Sequence, residues 1–585
     1  MSDQFKNLRS AGEGEFRDMV PDEPAMKELV HPADLIQKGH PPGLYLLFIV
    51  EMWERFSYYG MRGLLMLYLI RSMSEPGAQG NPGRGMEEGA ASRLYGWYAG
   101  LAYLFPLLGG FMADRFLGTH RSMLVGGTLI ALGHIVLGIT GCGELGHSEA
   151  GMSLFIGGMA LIVMGTGYFK PCASVMVGQL YGPNDARRDG AYTIFYMGIN
   201  LGAFICAFIC GTLGEKVGWH WGFSAAAVGM VAGLITYLVA RPRYLAGVGL
   251  APANARNTAP WFFTVSILLA AGFMGLYHAG FLGWLGARFA DMFGNETFGN
   301  VLKLGACALV LGLVIWFVSI QQRGEKGPTA SIFIFMVFNA FFWFAFEQAG
   351  TSLNVFAERS TDRHLFGEEV PATWFQSVNA LLILALAPFF AVMWTALGRR
   401  NLDPSQPTKI GMGLVLLGIG FVFMVIAGML NASGAQVGMV WLLATYTFHT
   451  LGELCLSPTG LSFVTKTAPV KYVTLLMGIW FISNFLANLG GGYVAGTVGK
   501  IESGELELFW YPWFKLGGRA DFFFLFVLTS FGAGFTILLL TPLLKKLLPR
   551  ENRPVVPAVD GRAAAGLKLP SSENIQVSPD QIMRN

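Results

Sequence analysis

Long apolar runs, separated by short polar loops, follow one another along most of the chain. A membrane helix needs about 20 mostly apolar residues. Fourteen runs meet that length, near 43–70, 93–113, 122–141, 152–178, 190–213, 219–240, 260–285, 299–320, 330–353, 372–397, 409–430, 436–462, 472–498 and 521–548. An even number places both ends of the chain on one side. Every second loop is basic: Arg115 and Arg121, Arg187 and Arg188, Arg241, Arg243 and Arg256, Arg323 and Lys326, Arg399 and Arg400, Lys466 and Lys471. Among the alternate loops, 142–151 and 431–435 hold no Lys or Arg. Positive charge is retained on the cytoplasmic side, so the basic loops and both termini are predicted there.

The spans group as six, two and six. The sequence therefore predicts a polar cytoplasmic lead-in over 1–42, a six-helix bundle over 43–240 and an inserted hairpin over 260–320. A second six-helix bundle follows over 330–548, then a polar cytoplasmic tail over 549–585. Internal echoes relate the two bundles. The first helix of each carries acid inside its apolar run, Glu51 and Glu54 in one and Glu347 in the other. The fourth helix of each carries a charge ahead of a proline, Lys170 before Pro171 and Glu453 before Pro458. Paired halves with polar groups at mid-membrane depth are the layout of secondary transporters.

Composition agrees. Of 585 residues, 53% are hydrophobic and only 13% charged, against about 25% charged in soluble domains. A net charge of +3 gives no reason to expect a nucleic-acid partner. The six cysteines lie in or beside apolar runs, with no CxxC pair and no His-rich partner, which predicts neither metal nor disulfide framework. There is no HExxH and no Gly-rich phosphate loop, so neither an enzyme nor a cofactor is expected. His278 and His449 read as packing or hydrogen-bonding residues.

The charges inside the spans carry the chemistry. An ionised side chain at a helix centre costs about 2.5–3.5 kcal/mol, so Glu51, Glu54 and Arg55 must pair or face water. At helical spacing Glu51, Glu54, Arg55, Tyr58, Tyr59 and Arg62 share an arc of roughly 140°, a face unsuited to lipid. Lys170, Glu347 and Glu453 are further isolated charges. Asn200, Asn379 and Asn484 add amides, and Trp343, Trp480 and Phe481 add flat apolar walls. Together these groups would suit a zwitterion, with acids for its ammonium and Arg55 or Lys170 for its carboxylate. Arg62 and Glu358 are placed to pair across the halves as a gate.

Five segments, in order, carry a resemblance. These are Glu51-Met52-Trp53-Glu54-Arg55-Phe56-Ser57-Tyr58-Tyr59-Gly60, Gly165-Thr166-Gly167-Tyr168-Phe169-Lys170-Pro171 and Phe195-Tyr196-Met197-Gly198-Ile199-Asn200-Leu201-Gly202. They continue with Phe342-Trp343-Phe344-Ala345-Phe346-Glu347-Gln348 and Glu453-Leu454-Cys455-Leu456-Ser457-Pro458-Thr459-Gly460-Leu461-Ser462. The set resembles the signatures of the proton-dependent oligopeptide transporter family, within the major facilitator superfamily. Six-plus-two-plus-six spans is the bacterial form of that family. The resemblance implies the major facilitator fold and proton-coupled import of di- and tripeptides by alternating access. A bacterial inner membrane is the expected location, and no partner beyond lipid and cargo is expected for a working monomer.

Carried over by position, the resemblance assigns peptide contact to Arg55, Tyr59, Lys170, Asn200, Glu347, Asn379 and Glu453 and pocket lining to Tyr103, Trp480 and Phe481; Tyr58, Trp343 and Asn484 join the expected peptide-binding set from the reading of the residues themselves. The resemblance assigns proton coupling to Glu51, Glu54, Arg55, Lys170 and Glu453. Animal members carry a histidine in the second helix. Counting back from Pro106 puts Gly96 at that place, which leaves the coupling to carboxylates.

Overall fold

The computed structural model describes residues 39–73, 81–182, 185, 187–251, 256–294 and 296–548. The predicted lead-in and tail therefore lie almost wholly outside the described residues. Fourteen long helices are present: α1 (Pro42–Ile70), α2 (Glu88–Met112), α3 (Gly118–Thr140), α4 (Glu149–Gln179), α5 (Arg187–Cys206), α6 (Trp219–Tyr244), α7 (Ala259–His278), α8 (Glu296–Ser319), α9 (Lys326–Phe346), α10 (Trp374–Arg399), α11 (Gln406–Asn431), α12 (Val440–Thr467), α13 (Val473–Ala495) and α14 (Arg519–Leu547). Eleven helical stretches among the described residues are long and apolar enough to cross a membrane, one of them running through α2 and α3. α1 and α12, which carry Glu51, Glu54, Arg55 and Glu453 in mid-run, fall outside that test. This is a multi-pass, all-α membrane protein with the major facilitator fold.

Within the first half, α1 packs on α5 and α6, and α3 packs on α4 and α6. Within the second, α11 packs on α12 and α14, and α9 on α13 and α14. The helices run alternately up and down, so the predicted basic loops share one face of the molecule. That face is here called the basic face and its opposite the far face. Between the halves, α7 leans on α4, whereas α8 lies bare on the outside with Val301, Leu304, Leu309 and Ile315 exposed. In a bilayer those side chains meet lipid tails.

Two local departures from regular helix matter later. α5 continues beyond Cys206 through two wide π-helical stretches, Ala207–Gly211 and Leu213–Val217. α9 was expected to continue to residue 353. It instead tightens at Phe346 into a 3₁₀ turn, Glu347–Gly350, and a separate short helix spans Ser352–Ser360.

The halves meet along two seams. α2 lies against α13, and α5 against α10. In the first seam glycines face glycines. A Cβ at Gly96 would stand 2.9 Å from Gly492 Cα and 3.0 Å from the Asn488 carbonyl oxygen. Small residues let membrane helices approach backbone to backbone. Gly96 therefore faces a helix of the other half, in a place with no room for a side chain.

Candidate functional site

α1 is buried on almost every side, so its charges cannot be solvated at random. Arg55 Nε lies 3.0 Å from Glu51 Oε1 and 2.5 Å from Glu54 Oε2. Neither contact is aligned as a hydrogen bond. Glu51 Oε2 and both Glu54 oxygens have no hydrogen-bond partner among the described residues. Lys170, on α4, is close enough for its charge to act on both carboxylates. Its ammonium sits 4.1 Å from the centroid of the Tyr103 ring, a cation–π contact, with no carboxylate within 4 Å among the described residues. Gly202, from the Asn200 segment, explains how α5 reaches this region. A Cβ there would lie 2.2 Å from the Met52 carbonyl oxygen, so only glycine lets α5 rest on the α1 backbone.

The charged face of α1 is divided by the packing. Glu51, Glu54, Arg55 and Tyr58 are buried away from the lining of a central cavity of about 210 Å³, which Tyr59 and Arg62 border. From the predicted set, that cavity is also lined by Tyr103, Asn200, Trp343, Glu347, Asn379 and Glu453. Arg55, Tyr58, Lys170, Trp480, Phe481 and Asn484 are not among its lining residues. The sequence reading missed Tyr196, Gln376, Tyr446 and His449, which do line it. Tyr196 stands inside a quoted segment, and His449 is one turn before Glu453 on α12, so helical phase offered a signal for both. His449, read as a packing or hydrogen-bonding residue, packs its ring 4.7 Å from that of Phe421.

On the second half, Asn379 of α10 donates to Glu453 Oε2 at 2.9 Å and to Thr450 Oγ1 at 3.0 Å. Glu453 is thus held by a neutral amide, with no cation within 4 Å among the described residues. Behind the cavity wall, Trp343 Nε1 donates to Asn339 Oδ1 at 3.1 Å, and Asn339 Nδ2 donates to Asn484 Oδ1 at 2.9 Å and to Ser483 Oγ at 3.1 Å. Asn484 therefore orients Trp343 through Asn339 instead of lining the cavity. The side chains of residues 457–462 lie outside the described ones.

The expected Arg62–Glu358 pair is replaced by three others. Arg62 pairs with Glu347 and also donates to the Tyr95 hydroxyl. Glu358 takes Arg71 at 3.0 Å and Arg363 at 2.7 Å. The reason is the break after Phe346. The 3₁₀ turn brings Glu347 to α1, and Glu358 travels with the separate short helix toward the far face. His278 in the hairpin bonds Ser153, Nδ1 to Oγ, at 3.0 Å.

The inter-half charge contacts gather at the far face. Arg519 reaches Glu88 at 2.9 Å, Arg359 reaches Glu88 at 3.2 Å, and Arg71 reaches Glu358. α5 and α10 also meet at that end, where the Phe208 and Trp374 rings stand 4.7 Å apart. The cavity is thus shut from the far face.

Two membrane-embedded halves closing on a charged central cavity define a secondary transporter, not an enzyme. Residues 120–509 match the POT family. A curated relative, the peptide transporter YePEPT of Yersinia enterocolitica, is 39% identical over 79% of this chain and 88% of its own length. The di-/tripeptide transporter of Lactococcus lactis subsp. cremoris is 35% identical over 76% of this chain and 87% of its own. A solved structure of a POT peptide transporter in complex with sulfate is 32% identical and superposes with a TM-score of 0.69, covering 88% of this chain and 98% of that one. The chain belongs to the POT family.

Proposed function

We propose that this protein is a proton-coupled importer of di- and tripeptides, resident in a bacterial inner membrane with both termini cytoplasmic. The observation that carries the reading is the charge balance of the cavity and the cluster beside it. Three cations, Arg55, Arg62 and Lys170, face four carboxylates, Glu51, Glu54, Glu347 and Glu453, leaving one negative charge over. A zwitterionic peptide adds no net charge. One proton closes the balance. The ends are also sorted: Arg55 and Lys170 belong to the first half, and Glu453, held by the neutral amide of Asn379, belongs to the second. A peptide carboxylate and ammonium would therefore draw the two halves together.

In this cycle a proton on Glu51 or Glu54 loosens its hold on Arg55. The freed cation takes the peptide carboxylate, and Glu453 takes the ammonium. The halves rock about the ligand, and proton loss restores the Arg55 contacts and expels the peptide. Ligand and proton drive the change only through unequal affinity for the two states. With the basic loops cytoplasmic, the closed far face corresponds to the inward-facing state.

The test is uptake of a labelled dipeptide into proteoliposomes, with and without an inward proton gradient. Glu51→Gln and Glu54→Gln are expected to lose accumulation against a gradient while retaining counterflow exchange. Full gradient-driven accumulation by both variants would sink the coupling assignment. Failure of unlabelled di- and tripeptides to compete would sink the cargo.

A further inference from the structure

α5 ends at the far face in an unusual way. Its two π-helical stretches widen the last turns and carry Glu215, which is 9% exposed at its side chain, toward the other half. There Glu215 accepts from the Thr373 hydroxyl at 2.6 Å, from Thr373 N–H at 2.9 Å and from Ala372 N–H at 2.8 Å. Those groups belong to the turn that opens α10, where backbone N–H groups lack helical partners and favour negative charge. A carboxylate of the first half thus caps a helix of the second.

Three further contacts converge on the same point. A Cβ at Gly211 would stand 2.1 Å from Thr373 Oγ1, so α5 presses backbone-first on the cap. Trp374 Nε1 donates to Thr212 Oγ1 at 3.0 Å. Arg363, 3.7 Å from Glu215, is shared with Glu358 and Glu369 at 2.7 Å each, and Arg71 holds Glu358. Six residues below the cap, α10 carries Asn379, which holds Glu453 in the cavity.

We infer that Glu215 is a positioning residue of the transport cycle, a latch that fixes the start of α10 to α5 and holds the far face shut. Opening that face separates α5 from α10. The separation strips the cap from α10 and shifts the helix that carries Asn379. Both the closing of the gate and the placing of Glu453's partner then depend on one carboxylate. The inference rests on the rocking of the two halves in the proposed cycle, but not on the cargo.

The test measures distance across the far face without substrate. Spin labels at Glu144→Cys and Glu505→Cys, exposed sites on loops of the two halves, are placed in a cysteine-free background with confirmed uptake. Double electron–electron resonance in proteoliposomes then reads the separation. Glu215→Ala is expected to raise a discrete longer-distance population about fivefold or more, the scale of losing a helix cap. Thr373→Val, which keeps the backbone donors and loses one hydroxyl, is expected to raise it less; it decides the matter if the alanine variant does not fold. An unchanged distribution overturns the latch. Broadening without a longer peak also overturns it, since it marks a cap that only orders its own turn. Because no peptide is added, the result stands apart from any failure of the cargo reading.

Discussion

Glu51 and Glu54 in the first half and Glu453 in the second are held in opposite ways. In the first half, two carboxylates and a guanidinium crowd five residues of one helix, in contact but poorly aligned, with three carboxylate oxygens unbonded. In the second half, Glu453 stands alone on α12 and is held by Asn379, itself bonded to Thr450. The first arrangement is strongly charged and incompletely bonded, so a proton or a new anion can rearrange it cheaply. The second is neutral around one fixed acid, so it keeps its shape and waits for a cation. In the proposed cycle the responsive cluster would serve coupling and the fixed acid recognition.

The comparison breaks most visibly at Arg55. Arg55→Ala would leave Glu51 and Glu54 buried beside each other with only Lys170 nearby. Removing one partner of a buried ion pair typically costs about 3–5 kcal/mol. A marked fall in Tm in detergent is expected, with loss of all uptake. The double variant Arg55→Ala/Glu54→Gln should recover part of the Tm and none of the transport. A single variant as stable as the parent would show that the cluster is not held by charge.

A smaller effect is expected at Asn379. Losing one hydrogen bond to a charged group is worth about 1.5–3 kcal/mol. Asn379→Ala is therefore expected to weaken peptide affinity on the order of tenfold or more, read by competition in counterflow, with coupling to the gradient retained. If coupling fails while affinity holds, the division between the halves is wrong.

The smallest effect lies outside the bilayer. In the loop between α4 and α5, hydrogen bonds from Arg187 hold the Asp185 carboxyl well down, at about 2. A depressed carboxylate stabilises the fold above its ordinary range, near 4, and loses that contribution as pH falls through 2. Asp185→Asn at neutral pH is expected to leave uptake unchanged and to shift Tm by no more than an exposed pair allows. A loss of uptake there would mean that charge pairs far from the cavity also govern transport.

Much of this was legible in the sequence because a bilayer imposes a simple code. Run length located the helix ends to within about seven residues, and buried charges announced Glu51, Glu54, Arg55, Lys170, Glu347 and Glu453. Partners were harder. Helical phase places a residue on a face but does not say where its helix ends. The tightening after Phe346 moved Glu347 onto Arg62 and gave Glu358 to Arg71 and Arg363. The π-helical stretches that carry Glu215 leave no mark in hydropathy. Trp480, Phe481 and Asn484 were expected in the cavity wall, but they are not among its lining residues. Asn484 still reaches the wall through Asn339 and Trp343.

Gly96, first noticed as a place without a histidine, has a mechanical meaning. Where α2 meets α13, Gly96 faces Gly492, and Gly89 lies within reach of the Gly496 carbonyl. At these two points the contact is backbone on backbone, with no side-chain rotamers to reset, although Gly100 further along packs on the Phe485 ring. In the proposed cycle the glycine contacts would serve as a bearing, keeping α2 on α13 while α5 parts from α10.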